Sequence, residues 1–160
     1  MNTKIIRTIK SVKKKAIHAP KVLNEPIHYA KPVSFSRGIS VDLGSHTILF
    51  ISGTASVNKD GRSIHQGDFL AQAKRTFKNL TALLQSEGAG WHDVVRTTCY
   101  LKDMRNYEIF NKVRNQFYKQ QGLRPFPAST CIGANLCRAD LLVEIELIAI
   151  IQVKINGKNL

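Results

Sequence analysis

The chain has 160 residues, 43% of them hydrophobic, and a formal net charge of +13 at pH 7. This size and apolar content indicate one domain with a real core and exclude wholesale disorder. No run approaches the eighteen apolar residues of a membrane-spanning helix, so we expect no transmembrane segment. Three cysteines without a secretory signal fit a reducing, cytoplasmic compartment, and their spacing does not suggest a metal site. We therefore expect no metal and no cofactor.

The positive charge is concentrated at the N-terminus. Residues 1–24 carry seven Lys/Arg and no acidic residue, whereas the remainder carries 17 Lys/Arg against 11 Asp/Glu. Among these lysines, apolar residues recur at helical spacing: Ile5, Ile9, Val12 and Ala16. The pattern predicts a basic arm and linker over 1–32, a folded domain over 33–153 and a tail over 154–160. The arm is open to four interpretations: an organelle-targeting presequence, a surface-seeking basic helix, a nucleic-acid arm or a solvated extension.

The sequence of the first half of the domain predicts two strands, a turn and a helix. Residues 33–44 and 46–54 are rich in β-formers and joined at a glycine, which is typical of an antiparallel pair. The sequence "NKDGRS" over 58–63 predicts a turn, because its glycine tolerates a positive φ. Residues 68–85 predict an amphipathic helix whose apolar residues form one stripe: Phe69, Ala73, Phe77, Leu80 and Leu84.

The second half predicts a strand over 92–101, a helix over 105–121, a strand over "PASTCIG" and a long last strand over 141–153. One face of the last strand is wholly apolar, and the other mixes two glutamates with isoleucines. Two helices can cover only the first of these faces. We therefore expect an α+β fold, with a mixed sheet, two helices on one face and a partner subunit against the other.

Five stretches together resemble the Rid family, also called the YjgF or L-PSP endoribonuclease family. They are "VDLG", "ISGTASV", "DFLAQAKRTFKNLTALLQSEGA", "DVVRTTCYLKDM" and "PFPASTC…LLVEIELIAI". The resemblance covers residues 33–152 and implies a chorismate-mutase-like fold, a homotrimer with a central β-barrel, and ligand clefts between subunits. Its most specific part is a Pro-Ala-Arg-x-Cys…Val/Ile-Glu signature, in which Ser129 stands where the family has arginine.

The resemblance also implies an activity and its site residues. The family's best-known reaction is the hydrolysis of imines and enamines, such as 2-aminoacrylate, to 2-keto acids and ammonia. By motif position, Glu144 is the catalytic acid/base and Cys131 contacts the ligand through its main chain. Ser52 and Gly53 form part of the cleft wall, and Asn111 is a polar residue on the side of the cleft.

Ser129 leaves open which group holds the substrate carboxylate. The family's arginine makes a two-pronged ion pair, whereas a serine offers one weak donor. Arg37, Arg124 and Arg138 are the replacement cations that the sequence offers, and Arg37 is preferred because the resemblance places the first strand beside the cleft. No base can be identified for Cys131, so we do not expect a nucleophilic cysteine.

Three functions follow from these features. The first is hydrolysis of a reactive imine, enamine or related enol-type carboxylate in a cleft between subunits. The second is a non-catalytic protein that binds or senses a small carboxylate in the same cleft. The third is RNA binding or endoribonuclease activity, which the basic arm and the family's older name suggest.

Overall fold

The computed structural model describes residues 12–152. The strands are β1 (Lys13–Ala16), β2 (Gly38–Asp42), β3 (His46–Ala55), β4 (Val94–Leu101), β5 (Ala128–Gly133) and β6 (Val143–Gln152). The helices are α1 (Phe69–Ser86) and α2 (Tyr107–Gln120), and three short 3-10 turns lie at Pro26–His28, Trp91–Asp93 and Met104–Asn106. None of these helices has the length and apolarity needed to cross a membrane.

The strands form one mixed sheet in the order β1-β2-β3-β6-β4-β5. All neighbours pair antiparallel except β4 and β5, which are parallel and are joined by α2 as a βαβ unit. The last strand of the described chain is thus a central one, because β6 lies between β3 and β4. This position puts the residues of β6 next to both halves of the sheet.

Both helices cover the same face of the sheet. The predicted stripe of α1 is buried, and the Asp68 side chain caps the helix by accepting a bond from the main-chain N–H of Ala71. The two helices meet through aromatic rings, with Phe77 and Phe117 stacked at a centroid distance of 4.5 Å. The predicted α+β architecture, with a mixed sheet and two helices, is confirmed.

The opposite face of the sheet, which we call the outer face, carries exposed apolar side chains. On β6 the buried residues alternate with the outward ones, so that Val143 is fully buried and Ile150 is 39% exposed. Phe50 on β3 is 45% exposed on the same face. The prediction that one face of the last strand is buried under the helices is confirmed; the partner predicted on the other face stays a prediction.

Residues 12–32 differ from the predicted basic arm. Residues Lys13–Ala16 pair with β2 as an edge strand, and Ile17 and Leu23 are fully buried in the core. Residues 12–16 form no helix, because pairing with β2 satisfies the main chain while the lysines stay exposed at the sheet edge. Lys15 also forms an ion pair of 2.9 Å with Glu87 at the end of α1. The rest of the arm, with Ile5 and Ile9, lies outside the described residues, as does the predicted tail.

Candidate active site

A cleft of about 1150 Å³ opens at the end of β3 and the start of β6. Four of the predicted site residues line it: Arg37, Ser52, Gly53 and Glu144. Segments 29–35, 60–66 and 137–141 contribute the other walls. The predicted strand over 33–44 is therefore shorter than expected, since β2 begins only at Gly38 and residues before it line the cleft.

A β-bulge forms the floor of the cleft. Ile51 pairs with Leu147 and Thr54 pairs with Ile145, so β3 has one more residue than β6 between these pairs. The extra length comprises Ser52 and Gly53. The Ser52 N–H donates to the Arg37 carbonyl at 3.0 Å, and its hydroxyl donates to the Ser36 carbonyl at 2.8 Å. The bulge thus interrupts the β3–β6 ladder beside Glu144.

The carboxylate of Glu144 lies directly over Gly53. A Cβ atom on residue 53 would overlap Glu144 Oε1 and would lie 2.9 Å from its Cδ atom. Burial raises the pKa of the Glu144 carboxyl, and the charge of Glu146 on the same strand raises it further. A raised pKa brings a carboxyl closer to the working pH of a proton relay. The residue predicted as the acid/base is therefore half-buried in a cleft and electrostatically suited to that role.

Arg37 lines the cleft, but its guanidinium already donates hydrogen bonds to other groups of the protein. Only 4% of the residue is exposed. Its Nε and Nη2 groups donate to the Asn24 carbonyl at 3.0 and 2.7 Å, and Nη2 also donates to the Tyr29 hydroxyl. The guanidinium lies 5.5 Å from the centroid of the Tyr29 ring. Arg37 thus ties the segment after β1 to the cleft wall, with fewer donors left for a ligand than an open arginine has.

Arg138 is the second arginine in the cleft wall. Its Nη1 group donates to the Gly61 carbonyl at 2.7 Å and to the Ser63 hydroxyl at 3.3 Å. Gly61 lies in the predicted 58–63 turn and has a φ of 75°, which glycine tolerates best. Arg124, the third replacement cation, does not line the cleft; its guanidinium lies 4.4 Å from the centroid of the Phe126 ring.

A buried glutamine positions the segment that leads into Glu144. Gln72 of α1 is fully buried, its Nε2 donates to the Asp140 carbonyl at 2.8 Å, and its Oε1 accepts from the Leu142 N–H at 2.9 Å. These bonds fix the main chain two residues before Glu144. The sequence interpretation missed Gln72, although a polar residue between Phe69 and Ala73 on the buried side of a helix was the available signal.

The other three predicted site residues form a second cluster, which we call the β5 cluster. Ser129 accepts bonds from the Thr97 hydroxyl at 3.1 Å and from Arg114 Nη1 at 3.2 Å. Arg114 Nη2 also donates to Asn111 Oδ1 at 2.7 Å. Cys131 follows on the same strand, where Arg114 acts on its thiol electrostatically. Arg114 was missed from the sequence, although it follows Asn111 by one helical turn.

The two groups of site residues lie on opposite faces of the sheet. Glu144 alternates with Val143 and Ile145, which point into the core under the helices. Ser129 instead bonds to Thr97, whose side chain is on the helix-covered face. A single copy of the chain therefore does not bring Glu144 and Ser129 into one cavity.

The thiols of Cys99 and Cys131 have raised pKa values. Burial raises the pKa of Cys99 to about 11, and burial also raises that of Cys131, against a lowering effect of the Arg114 charge. A neutral thiol is a poor nucleophile, which agrees with a main-chain role for Cys131. Within residues 12–152, no three His, Cys, Asp or Glu side chains are grouped so that they could hold a metal ion.

Comparison with known proteins connects this architecture to one family. A family model described as endoribonuclease L-PSP matches residues 8–151. A RutC family protein of Synechocystis is 32% identical over 110 residues, covering 68% of this chain and 82% of the relative. The RutC family protein UK114 of Drosophila melanogaster is 31% identical over 122 residues, covering 76% of this chain and 83% of the relative.

A solved structure shows the same fold. The crystal structure of the YjgF gene product of E. coli matches with a TM-score of 0.62 at 28% identity, over 81% of this chain and 97% of that chain. The family match begins at residue 8, within the segment predicted as an arm, which agrees with the edge strand at Lys13–Ala16.

Proposed function

This chain belongs to the endoribonuclease L-PSP family, also called the Rid or YjgF family, and we propose that it hydrolyses reactive imines or enamines of small carboxylic acids. The observation that carries the proposal is a single carboxyl with a raised pKa, Glu144, held over Gly53 in an open cleft with cationic walls. Related enol-type carboxylates belong to the same substrate class.

The reaction demands little beyond orientation and one proton relay. Water adds through its oxygen to the imine carbon, and the electrons of the C=N bond move to the nitrogen. Glu144 takes a proton from the water and returns it to the nitrogen. The product of this addition carries a hydroxyl and an amino group on the same carbon. Glu144 then takes the hydroxyl proton and passes it to the nitrogen, the C–N bond breaks, ammonia leaves, and the carbon becomes the carbonyl of a 2-keto acid. Holding water and imine together in the cleft supplies the remaining rate enhancement.

We further propose that the working site lies between subunits of a homotrimer. The exposed apolar residues of the outer face, such as Phe50 and Ile150, supply a surface for a second copy. The β5 cluster of one subunit would then complete the cleft around Glu144 of its neighbour, which accounts for their placement on opposite faces of one sheet. The three free cysteines fit a reducing compartment such as the cytoplasm.

The test is ammonia release from imines that an L-amino-acid oxidase generates in the presence of the protein. Wild-type protein should accelerate release above the spontaneous rate, and Glu144→Gln should lower that acceleration by about 10²- to 10⁴-fold, the usual contribution of a general acid/base. Glu87→Gln is the matched control, since Glu87 lies outside the cleft and pairs with Lys15. Equal rates for wild type and Glu144→Gln would refute the role of Glu144.

Binding without turnover is the alternative that the same cleft favours. It predicts thermal stabilisation by small keto or hydroxy carboxylates and no ammonia release above background. RNA binding or cleavage rests on the basic N-terminus, and three of the seven Lys/Arg of residues 1–24 lie outside the described residues. It predicts affinity that falls steeply with salt and that weakens when residues 1–11 are removed.

A further inference from the structure

Arg114 is a half-buried arginine without an acidic partner. Among residues 12–152, Arg114 takes part in no ion pair of 4 Å or less. Its guanidinium is instead held by neutral groups, at 2.7 Å from Asn111 Oδ1 and 3.2 Å from Ser129 Oγ, and it lies 5.4 Å from the centroid of the Phe110 ring. The β5 cluster therefore carries one uncompensated positive charge in a fixed place.

The donors of this cluster are not used up by the protein. A guanidinium has five N–H donors, and the bonds to Asn111 and Ser129 use one each. Ser129 accepts from both Thr97 and Arg114, so both lone pairs of its oxygen are occupied and its own proton is left to donate, either to the neighbouring Cys99 thiol or to a ligand. A guanidinium beside a hydroxyl that can donate matches the geometry of a carboxylate, which accepts at two oxygens and is a stronger acceptor than a thiol.

We propose that Arg114 anchors the substrate carboxylate, in place of the arginine that Ser129 replaces in the family signature. This inference rests on the proposed function and specifies which side chain recognises the acid group of the substrate. In this arrangement Asn111 orients the guanidinium, and Ser129 adds a second donor to the same carboxylate.

Arg37 and Arg138, the two cleft-wall arginines that the sequence offered as replacements, are less suited to this task. Arg37 is almost fully buried and is bonded to the Asn24 carbonyl and Tyr29 hydroxyl. Arg138 lies on the Glu144 side of the cleft, where the Gly61 carbonyl already engages it. Neither is near position 129, whereas Arg114 contacts Ser129 directly. If the cleft is completed by a second copy, Arg114 faces Glu144 from the neighbouring subunit, with the imine between them.

The experiment separates charge recognition from folding. Dissociation constants of 2-oxobutanoate and of its uncharged amide, 2-oxobutanamide, are measured for wild type, Arg114→Gln, Arg138→Gln and Arg124→Gln. Arg114→Gln should weaken 2-oxobutanoate binding by about 10- to 100-fold, the usual loss for a charge-assisted bond, and leave the amide unaffected. Arg124→Gln should bind both as wild type does. The double variant Arg114→Gln/Ser129→Arg returns a cation to the same place and should recover most of the lost affinity.

The outcomes for Arg114 and for imine hydrolysis can be told apart. If wild type releases no ammonia but 2-oxobutanoate binding depends on Arg114, the hydrolysis proposal fails and the anchor stands. If hydrolysis depends on Glu144 while Arg114→Gln keeps its affinity for 2-oxobutanoate, the anchor is overturned and hydrolysis stands. A loss confined to Arg138→Gln, an equal loss for acid and amide, or no binding of 2-oxobutanoate to wild type would each overturn the anchor.

Discussion

Replacing Gly53 by alanine tests the contact on which the proposed chemistry depends. The new Cβ would lie 2.9 Å from Glu144 Cδ, whereas ordinary van der Waals contact begins at 3.4–4 Å. The Cδ atom must therefore retreat by about 0.5–1 Å, and Oε1, which the new Cβ would overlap, must move further. A misplacement of about 1 Å can cost about 10²-fold in rate. We expect kcat/KM for imine hydrolysis to fall by about 10- to 100-fold, or about 1.4–2.7 kcal/mol of transition-state stabilisation.

The fold should tolerate this change. The φ of Gly53 lies outside the left-handed region, and the clash is with the end of a flexible side chain, so Tm should shift by less than about 4 °C. Gly90→Ala is the matched control, because φ there is −133° and the nearest atom to a Cβ is 4.0 Å away. Full ammonia release by Gly53→Ala, measured with the oxidase-coupled assay, would refute the reasoning. A variant that unfolds would refute the claim that only the carboxylate has to move.

Three further predictions concern stability and assembly. Because the folded-state pKa of Glu144 is raised, ionisation of its carboxyl destabilises the fold as pH rises through that pKa. The Glu144→Gln variant should therefore have a higher Tm than wild type at pH 8. This gain in Tm should vanish below the ordinary glutamate pKa. A Tm difference that is constant with pH would contradict this. Ile17 is fully buried, so Ile17→Ala should lower the free energy of unfolding by about 2–5 kcal/mol. Ile27 is exposed, so Ile27→Ala should change it by less than about 0.5 kcal/mol. Equal denaturation midpoints for the two variants would contradict the packing of residues 12–32. Phe50→Glu on the outer face should dissociate the proposed trimer, whereas Leu70→Glu on α1 should not. Light scattering measures the mass of each variant, and an unchanged mass for both would contradict the interface.

Local periodicity was sufficient to predict the elements whose pattern matches their burial. Helix α1 and the two faces of β6 follow directly from apolar spacing, because one side of each meets the core. Strand β1 was missed for the opposite reason. Its three lysines carry no apolar alternation, and it is a strand only because β2 offers main-chain partners at the edge of the sheet.

The candidate site could be predicted only in part, because some of its contacts depend on tertiary structure. Motif position was enough to select Glu144 and Gly53, which the structure brings into contact. It did not indicate that Ser129 lies on the opposite face, because that depends on the pleat of two strands far apart in the chain. Arg114 was missed because its contact with Ser129 depends on α2 lying beside β5. Its spacing from Asn111 places those two side chains together but does not predict that tertiary contact.

Mixed trimers test the central claim that the site is built between subunits. Glu144→Gln removes the acid/base, and Ser129→Asp places a negative charge in the β5 cluster where the carboxylate should bind; each variant alone should be inactive. Co-assembled in equal amounts, they should recover about a quarter of wild-type ammonia release, because random assembly pairs an intact Glu144 with an intact neighbouring Ser129 in about one cleft in four. A mixture that stays as inactive as its parents, or a Ser129→Asp protein that is fully active alone, would contradict a cleft shared between Glu144 and the β5 cluster of a neighbouring subunit.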